Sequence, residues 1–302
     1  MTMHFAQTMS GTRARAHAAL LSLLVLLVPA LCRASVCEQP GKVSYVSAAV
    51  VDHGKARLGD GNGETDQRMQ EFRIFRQGPG NLAFGYSHRY TTFDFAGIEP
   101  QTNAHLHTAA FPVHWRRGDR RRNFRVAIAP SLSTSSNVLG HPQRYSSDIL
   151  QLALALVWQR QFSQTAGARY GLCGDTRFGR YRVYPTAVLE WQPHPAWQVD
   201  LGFPASRVTY RMSDALSTGL RATPDGSEWQ VMNRNFDAES RLIYESYAIE
   251  WLVTLETGHL TLAAGFGRQL QSEFEMTLQS GQRVTVDSEA VNRVSAELSW
   301  RF

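Results

Sequence analysis

RVSAELSWRF, residues 293–302, carries the pattern from which the fold follows. Val294, Ala296, Leu298, Trp300 and Phe302 fall on one parity, and Arg293, Ser295, Glu297, Ser299 and Arg301 fall on the other. Alternation this strict predicts a strand with one apolar and one polar face. A soluble sheet buries the apolar face; a transmembrane barrel turns it to lipid and keeps the polar face in its lumen.

The same period of two recurs upstream. In SSDILQLALALVWQRQF (146–162) Leu150, Leu152, Leu154, Leu156, Trp158 and Phe162 share a face, with Gln151, Ala153, Ala155, Gln159 and Gln161 opposite. Comparable runs cover 81–95, 105–117, 123–137, 239–256 and 259–276. They exceed the five or six residues usual in globular sheets and suit tilted strands that cross a bilayer. Tight connections (116–121, 163–167, 192–197, 212–217, 256–259) alternate with looser ones (96–103, 138–147, 233–240, 277–289). Bacterial outer-membrane barrels have this asymmetry, with the short turns periplasmic. Trp115, Trp158, Trp191, Trp197, Trp251 and Trp300 lie near strand ends on the short-turn side, as an interfacial girdle requires. The expected fold is therefore all-β, a transmembrane antiparallel up-and-down barrel over residues 81–302. The preferred count is twelve strands within a range of ten to fourteen. The segment 35–80 would add a first hairpin if 42–51 and 70–77 pair.

The amino-terminal region reads differently. Arg13 and Arg15 precede the apolar run AALLSLLVLLVPAL and a small-residue exit near Ala34, so residues 1–34 are expected to be a secretory signal peptide. Beyond it stand Cys37 and Cys173, which could form one disulfide in an oxidising compartment. The formal charge of +5 covers the whole chain; without Arg13, Arg15 and Arg33 it is about +2, which gives no reason to expect a nucleic-acid partner.

The stretch RYRVYPTAVLEWQPHPAWQVDLGFPASRVTYRMSDALSTGL (180–220), with SYVSAAV (44–50) and ELSWRF (297–302), resembles an uncharacterised family of Gram-negative outer-membrane β-barrels, the domain of unknown function numbered 6268. The resemblance implies location and fold and brings no activity with it. Leu298, Trp300 and Phe302 also resemble the terminal signal read by the barrel-assembly machinery.

Candidate chemistry is sparse. In GDGNGETD (59–66) Asp60, Asn62, Glu64 and Asp66 alternate as oxygen ligands for calcium would, but Thr65 stands where the calcium loop of helical hands needs glycine, so a solvated loop is the plainer reading. His105 and His107 share a strand face, with His88 on a neighbouring strand; three imidazoles could ligate zinc, though rim or lumen roles are commoner for such residues. No G-x-S-x-G elbow occurs, and any Ser–His–acid grouping would depend on pairing. Glu250, Arg293 and Glu297 are expected in the lumen, with Gln151, Gln159 and Gln269. The expected function is a passive channel or small-solute transporter in the outer membrane, among outer-membrane lipids and without a cofactor. A closed barrel with a structural or surface-interaction role is the alternative. A lipid-modifying enzyme comes third, conditional on Ser, His and an acidic or amide group converging on the lipid-facing wall.

Overall fold

The computed structural model describes residues 36–37, 44–59, 63–96, 104–119, 121–233, 238–277 and 282–302. The expected signal segment therefore lies outside the described residues. β1 (Tyr45–Leu58) pairs with β2 (Gly63–Gln77), and β2 with β3 (Leu82–Ala96). β3 then faces two collinear pieces, β4 (Ala104–Ala110) and β5 (Val113–Gly118), both laid against β6 (Arg122–Ser135). After a one-turn helix, α1 (Ser136–Leu139), the meander continues through β7 (Leu150–Gln161), β8 (Ala166–Phe178), β9 (Arg180–Trp191), β10 (Trp197–Phe203), β11 (Ser206–Arg211) and β12 (Leu216–Pro224).

The chain then leaves the meander as β13 (Ser227–Asn233) and β14 (Ala238–Glu245), and returns as β15 (Tyr247–Thr257) to pair with β12. β16 (Leu260–Gln269) follows β15, and a second excursion, β17 (Ser272–Thr277) and β18 (Arg283–Ser288), precedes β19 (Val291–Arg301). β19 pairs with β16 on one edge and β1 on the other, which closes the ring. With β4 and β5 taken as one broken strand, the ring has fourteen positions. That is the upper end of the expected range: twelve strands from residue 81 onward, joined by the β1–β2 hairpin.

The two excursions close a second ring. β13 pairs with β14, β14 with β17, and β17 with β18. At its outer edges this small sheet meets β6 through Gln230 and Thr134 and β1 through Leu58 and Ser288. Above the short-turn end, β1, β2, β3, β4, β6, β13, β14, β17 and β18 thus form a nine-membered upper ring, while β7 to β11 stop beneath it. The bend after β12 rests on the β8–β9 reversal: a Cβ added to Gly226 would lie 2.5 Å from the Gly179 nitrogen and 2.6 Å from the Arg177 oxygen. Only glycine fits that approach, and Gly179 itself turns with φ 74°.

Ring size dictates what each interior contains. A barrel of about eight strands is only wide enough to be filled by side chains, whereas larger ones leave a lumen. The nine-membered ring is accordingly packed with Leu58, Phe93, Leu106, Trp229, Val231, Leu242, Tyr244 and Phe274. Phe93 meets Phe274 edge to face at 5.3 Å, and Trp229 at 6.1 Å. The fourteen-membered ring is lined with polar and charged groups instead.

The outer surface is apolar. On β19, Val294 is 55% exposed and Trp300 49%, while Arg293 on the other parity is 0% exposed. Leu150, Leu152, Leu154, Leu156 and Trp158 on β7 face outward likewise. All six girdle tryptophans are exposed, whereas the seventh, Trp229, is buried in the upper ring. Soluble monomers rarely expose apolar patches beyond a few hundred Å². A belt running round the whole ring matches a bilayer.

Candidate functional site

The lumen of the lower ring contains three tiers of polar contacts. Near the short turns a cavity of about 480 Å³ is lined by Asp200, Arg207, Thr209, Arg211, Ser217 and Glu256. Above it Arg169 binds Glu190 at 2.5 Å and approaches Asp200 at 3.7 Å. Gln159 donates to Glu190 at 2.8 Å and accepts from Asn123 at 2.8 Å. These inward groups come from alternate positions of adjacent strands, so the period of two itself builds the polar wall.

The middle tier holds the start of the described chain. Cys37 is disulfide-bonded to Cys173 on β8, with Cα atoms 5.9 Å apart. Val36 and Cys37 pack against the small wall residues Ala127, Ala129 and Ala155, beside Phe178 and Tyr184. Arg125 donates to the Cys37 carbonyl at 2.8 Å, and the Tyr184 hydroxyl donates to Asp175 at 3.0 Å. A cross-link across 136 residues removes about 4–5 kcal/mol of unfolded-chain entropy on the loop-closure estimate. Cys37→Ser is therefore expected to lower the urea midpoint in detergent, by up to about 4 kcal/mol in stability. It should also expose Cys173 to a small maleimide in the folded protein. A Cys173 that stays unlabelled would mean the segment remains lodged without the bond.

Higher up, a cavity of about 160 Å³ lies between Val36, the β2 and β3 groups Glu71, Arg73 and Arg89, and the bend at Thr223–Ser227. Glu71 pairs with Arg73 at 2.5 Å and with Arg89 at 3.5 Å. Beside this cavity is the most buried ionic cluster. Arg293 donates to Glu250 at 2.6 Å and to Asp225 at 2.8 Å. Glu250 also accepts from Arg221 at 2.7 Å and from Ser295 Oγ at 2.9 Å. Asp225 sits in the bend between β12 and β13, so Arg293 fastens the foot of the upper ring to the closing strand. On the upper sheet, Glu228 binds Arg241 at 3.1 Å, and burial raises its pKa against the opposing pull of Arg241.

Of the residues singled out in the sequence, Glu250 and Arg293 are completely buried in this cluster, and Glu297 lies half-buried on the same parity of β19. Trp300 and Phe302 are exposed, and Leu298 sits just inside the exposed range on the outer face. Asp60 and Asn62 lie outside the described residues. Glu64 and Asp66 fall on the outward parity of β2, where Glu64 is 3.9 Å from Lys55 and Asp66 stands opposite Asp94. His88, His105 and His107 all face outward rather than into the lumen; His88 Nε2 lies 3.2 Å from His107 Nδ1. Among the described residues no group of three or more His, Cys, Asp or Glu is placed to hold a metal ion.

No family model and no curated protein matches the chain. Among solved structures, the chain is similar to an outer membrane channel from Pseudomonas putida F1, at 8% identity and TM-score 0.46, covering 90% of this chain and 100% of that one. It is also similar to a deltaS2 mutant of the TodX monoaromatic hydrocarbon channel, at 10% identity and TM-score 0.38 (88% and 91% covered), and to the Pseudomonas putida toluene transporter TodX, at 8% and 0.35 (87% and 90%).

Asp225, Arg221, Trp229, Tyr244 and Phe274 lie outside the residues that the sequence pattern singles out. The available signal was Pro224-Asp225-Gly226, a turn triplet interrupting a β pattern.

Proposed function

We propose that this chain is an outer-membrane channel for small polar solutes, closed at its outer end by the nine-membered ring. The supporting observation is the contrast between the two interiors. The wide ring keeps charged side chains around cavities, a costly arrangement unless water or solute occupies that space. The narrow ring above it is packed with aromatic side chains and forms a hydrophobic seal. Four of its nine strands belong to two hairpins joined to the barrel wall at Asp225, Ser246, Leu270 and Glu289 and paired at their outer edges through Gln230–Thr134 and Ser288–Leu58, so these hairpins can move while the lower ring stays intact.

Planar-bilayer recording tests this reading. Wild-type protein should give small, infrequent conductance steps. Excising residues 226–245 joins Asp225 to Ser246, whose backbone groups already bond (Asp225 N–H to the Ser246 carbonyl, 2.8 Å). This removes one wall of the seal and should yield larger and more persistent steps. A folded preparation in which neither protein conducts would replace the channel by a closed structural barrel.

A further inference from the structure

A Ser–His–His chain stands on the outer wall of the barrel, away from the lumen. Ser136, the exposed first residue of α1, has its Oγ 2.8 Å from His107 Nε2. His107 Nδ1 is in turn 3.2 Å from His88 Nε2. With Nε2 unprotonated, His107 accepts from the Ser136 hydroxyl and donates its Nδ1–H to His88; with Nε2 protonated, it donates to Ser136, whose hydroxyl then donates to the His105 carbonyl at 3.3 Å. The first of these is the reactive tautomer, in which the serine proton already faces the imidazole nitrogen. Tyr90 holds the imidazole from the side, its ring 5.0 Å from that of His107 and its hydroxyl bonded to His105 at 2.6 Å. Nucleophile, base and base-orienting group in hydrogen-bonded series is the geometry that activates a serine, with an imidazole, His88, in the place where an acidic or amide side chain is expected.

The surroundings name the substrate. On β3 the outward residues below His88 are apolar (Leu82, Phe84, Tyr86), and those above it are polar (Thr92, Asp94). On β2 the change falls between Phe72 and Arg68. The serine thus stands where the apolar belt ends, at the level of lipid headgroups and ester bonds. Beside it opens a groove of about 640 Å³ lined by Ala48, Val50, Phe72 and Leu298, with Gln70 at its polar edge. The small side chains of Ala48 and Val50 form the hollow, and Phe72 and Leu298 wall it, a shape and polarity suited to an acyl chain.

We infer that Ser136, His107 and His88 form a second active site that hydrolyses carboxylic esters of membrane lipids, with the scissile carbonyl at Ser136 and the acyl chain in the outer-wall groove. This rests on the membrane placement proposed above but not on conduction. Ser136 Oγ attacks the carbonyl carbon while His107 Nε2 takes its proton. The ester C–O bond breaks, and His107 delivers that proton to the departing alcohol. Water then attacks the acyl-serine, giving a proton to His107, which returns it to Ser136 as the fatty acid leaves. His88 is a positioning residue that holds His107 in the reactive tautomer.

The test uses full-length protein refolded in detergent, with its folded gel mobility checked for each variant. Fatty-acid release is followed by mass spectrometry from mixed micelles of either phosphatidylethanolamine or lipopolysaccharide, which separates the two ester sources. Wild type should release fatty acid from one of them and be labelled by a fluorophosphonate at Ser136. Ser136→Ala should lose labelling and at least about 100-fold of the rate while keeping the conductance of the wild type. His88→Phe should lower kcat about tenfold or more with KM unchanged and shift the pH profile, and His88→Asn should restore part of the loss. Folded wild type that neither labels nor releases fatty acid overturns the proposal, as does a Ser136→Ala variant as active as wild type.

Discussion

Replacing Arg293 by alanine is expected to destabilise the barrel by about 3–5 kcal/mol, because it leaves Glu250 and Asp225 as buried carboxylates without their shared cation. The guanidinium is fully enclosed, so water cannot substitute for it at low cost. Arg221 still faces Glu250, but Asp225 loses the contact that anchors the hinge. Urea unfolding in detergent, followed by tryptophan fluorescence, should show the midpoint fall. The double variant Arg293→Met with Glu250→Gln should recover part of the loss, since it removes a buried charge on each side. Equal stability of Arg293→Ala and wild type would mean that the cluster is solvated rather than sealed.

The second large effect concerns the seal. Trp229 is 2% exposed, fills the upper ring against Phe93 and donates its indole N–H to Thr108 at 3.1 Å. Truncating such a residue costs about 3–5 kcal/mol, part of it from the cavity left behind. Here the loss falls on the upper ring, where β13 meets β3 and β4 through Phe93 and Thr108. If even half of it appears as a change in the closed-to-open equilibrium, Trp229→Ala should raise the open fraction by at least tenfold, since about 1.4 kcal/mol is a factor of ten. Single-channel recording reads this directly. Trp251→Ala, on the lipid face, serves as the control and should leave the open fraction unchanged. Matching behaviour of the two variants would remove the aromatic plug from the gating account.

The lower ring was legible because its rule is local. Alternation fixes which of Arg293 and Val294 faces inward without any knowledge of the partner strand, and the exposed tryptophans mark one end. The upper ring was less legible because bends need not interrupt alternation. Residues 239–256 and 259–276 read as single strands, yet each breaks, at Ser246 and at Leu270–Gln271, where no glycine or proline announces it. Conversely, 277–289 reads as loop, although Arg283–Ser288 is strand. Trp229 belongs to neither the girdle nor any recognisable core pattern, since its burial depends on β13 reaching β6. The outer-wall triad illustrates the same limit. His88, His107 and Ser136 lie on three segments, and only the register that sets Tyr90 opposite His107 brings them together.

The order in which the two rings close has a consequence for assembly. The contact between Thr134 and Gln230 spans 96 residues, and β18 meets β1 from the opposite end of the sequence. Each hairpin of the meander, by contrast, pairs neighbours. Short loops close before long ones, so the hairpins of the wall and of the ceiling can form first, and both rings then shut on β1, the wall through the pairing that begins at Tyr45 and Arg301 and the ceiling through Leu58 and Ser288. β1 is then the latch of the whole molecule: a variant unable to dock that strand should leave wall and ceiling open together, and betray itself as a cell envelope permeable to compounds the finished protein excludes.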